Sequence, residues 1–170
     1  MAKKLGATLF LLMAGIWLPG MDVERSGPST QAEAKKIAPG QMTNQHMDRL
    51  LRFAATVQEG QPGYWSVTFQ GFPMLVVTDE DHNRMRIMAP VIEVEKLEKE
   101  QLIRLMEANF ETALDARYAI YNGLLWSVFI HPLAELSGNQ FLDALAQVKQ
   151  LAESYGTTYS STSVILNPEQ

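Results

Sequence analysis

The stretch from Arg117 to Leu133, RYAIYNGLLWSVFIHPL, constrains the fold more than any other part of the sequence, because most of its side chains are apolar. A membrane-spanning helix needs about 20 apolar residues, and this stretch is shorter and carries Asn122-Gly123 in its middle. Asn-Gly favours a type I′ hairpin turn, which needs positive φ at both central residues. The stretch therefore predicts two paired strands, Tyr118–Tyr121 and Leu124–His131. Both faces of the second strand are largely apolar, which is typical of a strand covered on both sides by helices or by a second subunit.

The remaining periodicities predict three helices and three more strands. Pro90 interrupts the last of these three strands, which favours an edge strand or a bulge over a regular central strand. Ser137 and Gln140 form a capping box at the start of the third helix. The predicted elements are a helix over 43–58, strands over 65–70, 72–78 and 85–94, a helix over 98–115, the hairpin, and a helix that begins at Ser137 and ends before Gly156.

The predicted order is thus α-β-β-β-α-β-β-α, which indicates an α+β fold with an antiparallel sheet of about five strands packed with three helices. The second helix is expected to bury one stripe against the sheet. That predicted inner stripe consists of Leu102, Leu105, Met106, Asn109, Phe110 and Ala113.

The ends of the chain differ from its middle. Residues 1–20 place two lysines before an apolar run, which predicts a secretory signal peptide or, if it is not cleaved, an N-terminal membrane anchor. Residues 21–41 are polar and rich in Gly, Pro, Ser and Ala, and they predict a disordered linker. The folded α+β domain is expected over 42–156, followed by a polar tail over 157–170. Within the tail, Val164-Ile165-Leu166 fits either a short edge strand or an adhesive segment.

Composition excludes several classes of function. The net charge is −5 and the lysines and arginines are dispersed, which argues against a nucleic-acid partner and against adhesion to anionic lipid. The chain has no cysteine, so thiolate catalysis and cysteine-based zinc sites are impossible. The expected contact with a membrane is through the N-terminal segment alone, and the expected location is periplasmic or secreted, with an inner-membrane anchor as the alternative. No cofactor is predicted.

Two polar constellations are candidate sites of chemistry. Asp79–His82 concentrates acidic and imidazole side chains, but the spacing lacks the alternating acids and the mid-loop Gly of a calcium loop, which favours a hairpin turn over an ion site. His131 ends an apolar strand, where it could act as a general base with Asp115, Glu111 or Ser127 as partner. No nucleophile-elbow, Walker or metalloprotease motif occurs in the chain.

The hairpin concentrates aromatic side chains that suit either a core or an interface, because aromatic residues are enriched in both. Tyr118, Trp126 and Phe129 are therefore predicted to take part in partner binding, beside Tyr121. We expect them to serve the core and part of an interface together.

The element order, with the module ARYAIYNGLLWSVFIHPLAELSGNQFLDALAQVKQLA, resembles bacterial domains of the type III secretion chaperone-like group. Within that group it looks most like the YbjN-like proteins, a family described as sensory transduction regulators. The resemblance covers about Gln41 to Gly156. It implies a small acidic homodimer without enzymatic activity, and true secretion chaperones bind an extended effector segment. Those chaperones are cytosolic, whereas the apparent export signal of this chain predicts a location outside the cytosol.

Together these observations predict an exported, non-enzymatic protein-binding module that forms a homodimer and holds a protein partner with its sheet or with the face of its second helix. Two alternatives remain at this point: a small hydrolase-like enzyme using His131 with a nearby carboxylate, and a membrane-tethered structural factor.

Overall fold

The computed structural model describes residues 40–162. In this range a six-stranded antiparallel sheet is packed with three α-helices, so the predicted α+β class is confirmed, with one strand more than expected. The elements are α1 Asn44–Ala54, β1 Thr56–Gln61, β2 Tyr64–Phe69, β3 Phe72–Asp79, β4 Arg84–Glu93, α2 Lys99–Glu111, β5 Arg117–Tyr121, β6 Leu124–His131 and α3 Gly138–Glu153.

The additional strand is β1, and it replaces the last turn of the predicted first helix. That helix ends at Ala54 rather than at Gln58, because Ala55 is already extended. The β-branched residues Thr56 and Val57 then pair with β2. Pro62-Gly63 closes the β1–β2 hairpin, and Gly63 has the positive φ of 95° that glycine readily adopts in such a turn. The order within the described residues is therefore α-β-β-β-β-α-β-β-α.

The predicted hairpin of β5 and β6 is confirmed. Its turn residues Asn122 and Gly123 have φ values of 48° and 71°, as a type I′ turn requires. The strand order in the sheet is β1-β2-β3-β4-β6-β5, so β6 lies between two partners and β5 forms one edge.

The proline in β4 is accommodated by a bulge. β4 lies between β3 and β6, and its register with β6 shifts between Pro90 and Ile92. The bulge prediction for Pro90 is thus confirmed, and the edge-strand alternative is wrong.

The core joins one face of the sheet to all three helices. On β6 this face carries Leu125 and Phe129, against which α3 packs. Trp126 and Val128, on the opposite face, are also buried, while Ile130 is exposed. The largest fully buried side chains of the described range are Trp65, Phe141, Met47, Leu51, Met74, Met85, Ile87, Leu105, Leu125, Leu133, Leu136 and Leu145.

The two edges of the sheet differ in chemistry. β1, at one edge, has the sequence TVQEGQ, is exposed at all positions but Val57, and carries an irregularity in register between Val57 and Glu59. Polar side chains and bulges are features that discourage further strand pairing. The other edge, β5, has neither a bulge nor an acidic residue.

The predicted signal or anchor over 1–20, the predicted linker over 21–41 apart from its last two residues, and the Val164–Leu166 segment lie outside the described residues. Among the helices of residues 40–162, none is both long and apolar enough to cross a membrane.

A polar contact fixes α1 to the sheet. Asp48 accepts a hydrogen bond from Arg52 Nε at 2.8 Å and another from the indole Nε1 of the buried Trp65 at 2.9 Å. These two bonds, with that from Arg52 the larger contribution, lower the pKa of Asp48. Such a carboxylate favours the folded state most when it is ionised.

We expect Asp48→Asn to lower the free energy of unfolding at neutral pH. Because the folded pKa lies below the unfolded value, the contribution of Asp48 is fully present above the unfolded pKa and is lost as pH falls through the folded pKa. Urea unfolding at about pH 7 and again below about pH 4 should therefore show the difference between the variant and the native chain shrinking in acid. A difference that stays constant across this range would contradict the electrostatic origin.

Candidate functional site

A group of exposed apolar side chains on α2 and β5 is the most prominent candidate site in the described part of the chain. Of the nine large hydrophobic residues exposed between 40 and 162, seven lie in this region. We name six of them the α2/β5 apolar surface: Leu102, Ile103, Met106 and Phe110 on α2, Leu114 in the connection to β5, and Ile120 on β5. Tyr121 lies on the opposite face of β5, because side chains alternate along a strand. The two others, Phe53 at the end of α1 and Ile130 on β6, lie on different elements.

The orientation of α2 produces this surface. Leu105 and Ala108 are the residues of α2 that are buried in the core, and Ala113 is buried just beyond the helix. Residues 102, 103, 106 and 110 lie on another side of the helix, because each residue advances about 100° around its axis. The predicted inner stripe is therefore wrong for Leu102, Met106 and Phe110, which face outward. Phe110 is 92% exposed.

Asn109 holds α2 beside the edge strand. Its side-chain amide donates to the backbone oxygen of Tyr118 at 3.1 Å and accepts from the backbone nitrogen of the same residue at 2.7 Å. The amide thus imitates a neighbouring strand at one residue of β5. The backbone groups of Ile120, two residues on, point to the same edge, because these directions alternate along a strand.

The side chain of Tyr118 also makes fixed contacts. Its phenol donates to the backbone oxygen of Leu151 in α3 at 2.7 Å, and its ring meets that of Tyr159 edge-on at 6.3 Å between centroids. Burial raises the pKa of the Tyr118 phenol well above its usual value, so it remains a neutral donor at physiological pH. One residue therefore connects β5, α2, α3 and the segment after α3.

Three charged side chains of α2 form a cluster on another side of the helix from Phe110. Arg104 contacts Glu111 at 2.9 Å and Glu107 at 3.4 Å, and its guanidinium lies 5.8 Å from the ring centroid of Tyr159. The hydrogen bond that Arg104 donates to Glu111 is the largest cause of the raised pKa of Arg104. On the side of Phe110 the exposed residues of α2 are apolar apart from Lys99 in the first turn, a composition typical of protein contact surfaces.

The residues predicted to bind a partner are buried in the free chain. Tyr118 and Phe129 belong to the core, and Trp126 is buried with its indole nitrogen donating to the backbone oxygen of Tyr121 at 3.0 Å. Their role in partner binding stays a prediction. Sequence reasoning did not single out Ile103, Leu114 and Ile120. The signal for the first two was an α2 region with more apolar residues than one buried stripe can use.

His131 lies in surroundings that suit a structural role. Its ring Nδ1 is 2.7 Å from the backbone oxygen of Pro132, and the ring stacks on Phe129 at 5.9 Å. The partners considered for it are engaged elsewhere, since Glu111 pairs with Arg104 and Asp115 bonds Gln147. The hydroxyl of Ser127 is buried and has no hydrogen-bond partner among the described residues. The structure does not bring these groups together.

Asp79–His82 forms the turn between β3 and β4. Asp79 accepts from the backbone nitrogen of His82 at 2.9 Å and lies 2.7 Å from its ring Nδ1, while Glu80 accepts from the backbone nitrogen of Asn44 at 2.7 Å. Over residues 40–162, no three His, Cys, Asp or Glu side chains converge in a way that could hold a metal ion. The contacts of this turn are those that close a hairpin.

Comparison with known proteins finds similar solved structures. The ExsC–ExsE complex is 20% identical, covers 65% of this chain and 90% of the matched chain, and has a TM-score of 0.50. The HopA1–SchA chaperone–effector complex is 14% identical, covering 64% and 88%, and the Yersinia pestis type III secretion chaperone SycH with a fragment of YscM2 is 13% identical, covering 64% and 94%; both have a TM-score of 0.48.

These similarities concern the fold. The predicted type III secretion chaperone-like fold is confirmed by the ExsC–ExsE structure, and the closer YbjN-like assignment stays a prediction. No protein-family model matches the chain, and no curated protein sequence matches it.

We predict that Asn109→Ala loosens β5 from α2. The variant leaves the backbone donor and acceptor of Tyr118 without their partner, a loss of roughly 1–3 kcal/mol in the free energy of unfolding. Hydrogen exchange at the Tyr118 amide, followed by mass spectrometry, should accelerate. Asn109→Asp is the matched control, because it keeps the acceptor for the Tyr118 N–H. Its exchange rate at the Tyr118 amide should fall between those of the native chain and the alanine variant. Unchanged exchange in the alanine variant would show that the amide does not hold the strand.

Proposed function

We propose that this chain is a non-enzymatic, chaperone-like protein-binding module and that the α2/β5 apolar surface is its binding site. The observation that carries the proposal is the concentration of six exposed apolar side chains on one helix, the adjoining edge strand and the connection between them. Large contiguous apolar patches on soluble domains typically mark interaction sites. The shared fold supports the same role, because the ExsC–ExsE structure is by name a complex of two proteins.

Burial of this surface supplies a large driving force. Fully burying one large apolar side chain contributes about 1.5–3 kcal/mol, and Phe110 alone is 92% exposed. Much of the gain is offset by the cost of ordering two molecules. Aromatic residues at the centre of such patches nevertheless carry a disproportionate share of binding energy. Phe110 is placed to be such an anchor.

A second copy of the chain is the partner we propose first. Two copies related by a twofold axis bring the same patch together, so an apolar patch is complementary to itself. The edge strand β5 adds unpaired backbone groups at Ile120, which an antiparallel copy of the same strand matches. The homodimer then offers its remaining exposed surface to a further protein partner.

Replacement of Phe110 by Asp should abolish self-association. A charge placed at the centre of the interface is desolvated there without a partner, and we expect the dissociation constant to rise at least about thirtyfold. Sedimentation velocity over a range of micromolar concentrations measures the change. Phe53→Asp is the matched control, because Phe53 is 85% exposed but lies on α1. A native chain that is monomeric throughout, or an equal effect of both variants, would contradict the proposed dimer.

We also propose export, carried by residues 1–20, to the periplasm or beyond. The supporting pattern is Lys3-Lys4 before the apolar run from Leu5 to Leu18. Expression in a bacterial host with a C-terminal tag should place the chain in the periplasmic fraction. N-terminal sequencing of the mature chain should begin beyond Leu18, whereas an intact N-terminus in the membrane fraction would indicate an anchor. Recovery of the intact chain from the cytosol would sink the export proposal.

A further inference from the structure

The end of the described chain crosses the C-terminal end of α2. The backbone nitrogen of Leu114 donates to Ser161 Oγ at 2.7 Å, and Thr112 Oγ1 donates to the backbone oxygen of Tyr159 at 2.6 Å. Ser160 Oγ also reaches the backbone oxygen of Thr112 at 3.3 Å. These bonds satisfy groups at the end of α2 and fix the path of the chain beside Leu114, which belongs to the α2/β5 apolar surface.

The segment before this crossing is equally fixed. The ring of Tyr159 meets those of Tyr118 and Tyr155 edge-on, at 6.3 and 5.8 Å between centroids. Ser154 Oγ donates to the backbone oxygen of Ser160 and accepts from its backbone nitrogen, both at 2.8 Å. Tyr159 itself has a positive φ of 52°, an uncommon conformation that redirects the chain toward α2. The exit point of the tail is therefore well defined.

Residues 163–170, SVILNPEQ, follow this exit point, and their only large apolar residues are Val164, Ile165 and Leu166. An extended chain advances at most about 3.3–3.6 Å per residue, so these three side chains reach roughly 7–14 Å from Thr162. Met106 and Phe110 lie one turn apart on α2, about 6 Å along its axis, and Phe110 lies four residues before Leu114. The reach of the apolar part of the tail is therefore of the same order as the spacing of these side chains.

We propose that Val164, Ile165 and Leu166 dock on the α2/β5 apolar surface of their own chain and thereby regulate its access to a partner. Two features support this docking. The three side chains are aliphatic and suit the exposed Met106, Phe110 and Leu114, and the chain leaves its fixed path beside Leu114. The docked tail and a second copy compete for the same side chains. The regulatory half of this inference rests on the proposed function of the surface, whereas docking does not.

A disulfide test reports docking without reference to association. The chain has no cysteine, so within one molecule a pair of introduced cysteines can form a disulfide only with each other. At concentrations where the variants are monomeric, Met106→Cys with Ile165→Cys should form an intramolecular disulfide at least about tenfold faster than Phe53→Cys with Ile165→Cys, because docking raises the local concentration of the thiols. Equal rates for the two pairs overturn the proposal.

Competition is tested by Ile165→Asp, which places a charge in the docking segment. If the tail covers the surface about nine-tenths of the time, its release should strengthen self-association by up to about a hundredfold, since both copies must be uncovered and the apparent affinity scales with the square of the competent fraction. Asn167→Asp is the matched control, adding the same charge two residues later. Fast disulfide formation with unchanged self-association would refute the regulatory half and retain docking.

The same measurements separate this inference from the proposed function. Self-association that Phe110→Asp abolishes, combined with equal disulfide rates, leaves the proposed function standing and refutes the docked tail. A native chain and an Ile165→Asp variant that are both monomeric, combined with fast disulfide formation, refute the proposed dimer and support a surface that the tail alone occupies.

Discussion

The placement of α2 depends on the hydrogen bonds that converge on Tyr118. Asn109 binds both of its backbone groups, and its phenol bonds Leu151 on α3, so the helix, the edge strand and α3 share one fixed point. A helix that is fixed to the sheet by hydrogen bonds from a polar side chain does not need to bury all of its apolar side chains. This is why α2 can put Leu105 and Ala108 into the core and leave Phe110 in water. The α2/β5 apolar surface thus depends on the rotation of α2 about its axis, and a small set of directional hydrogen bonds restricts that rotation.

The hairpin supplies the other half of the arrangement. The Asn122-Gly123 turn returns the chain so that β6 enters the sheet beside β4 and β5 is left at the edge. β6 contributes Leu125 and Phe129 to the core, whereas β5 contributes the exposed Ile120 to the apolar surface. A buried strand and an exposed one therefore come from a single apolar stretch. The same two-residue turn that stabilises the fold also delivers the edge strand to α2.

Much of this architecture is readable from the sequence, and the failures have physical causes. The hairpin and the cap of α3 are encoded by local chemistry at Asn122-Gly123 and Ser137, which few alternative structures satisfy. β1 was missed because Val57 continues the helical period of α1, and the pairing with β2 that overrides it is not local. The period of α2 revealed that the helix is amphipathic but not which side meets the sheet. That choice depends on Asn109 finding Tyr118, and such a contact leaves no signature in spacing. The exposed surface was therefore predicted in part as core, while the buried aromatic residues were predicted to serve part of an interface as well as the core.

The unequal edges of the sheet set a limit on how copies can assemble. Endless stacking of sheets into a filament needs two receptive edges per molecule, one to accept the previous copy and one to offer to the next. Here β1 is polar and irregular, and only β5 presents a regular edge. Edge-to-edge growth through this sheet stops after one addition, since joining two β5 strands consumes the single receptive edge of each molecule. The polar and irregular strand β1 at the other edge therefore disfavours edge-to-edge growth of this sheet into a fibre.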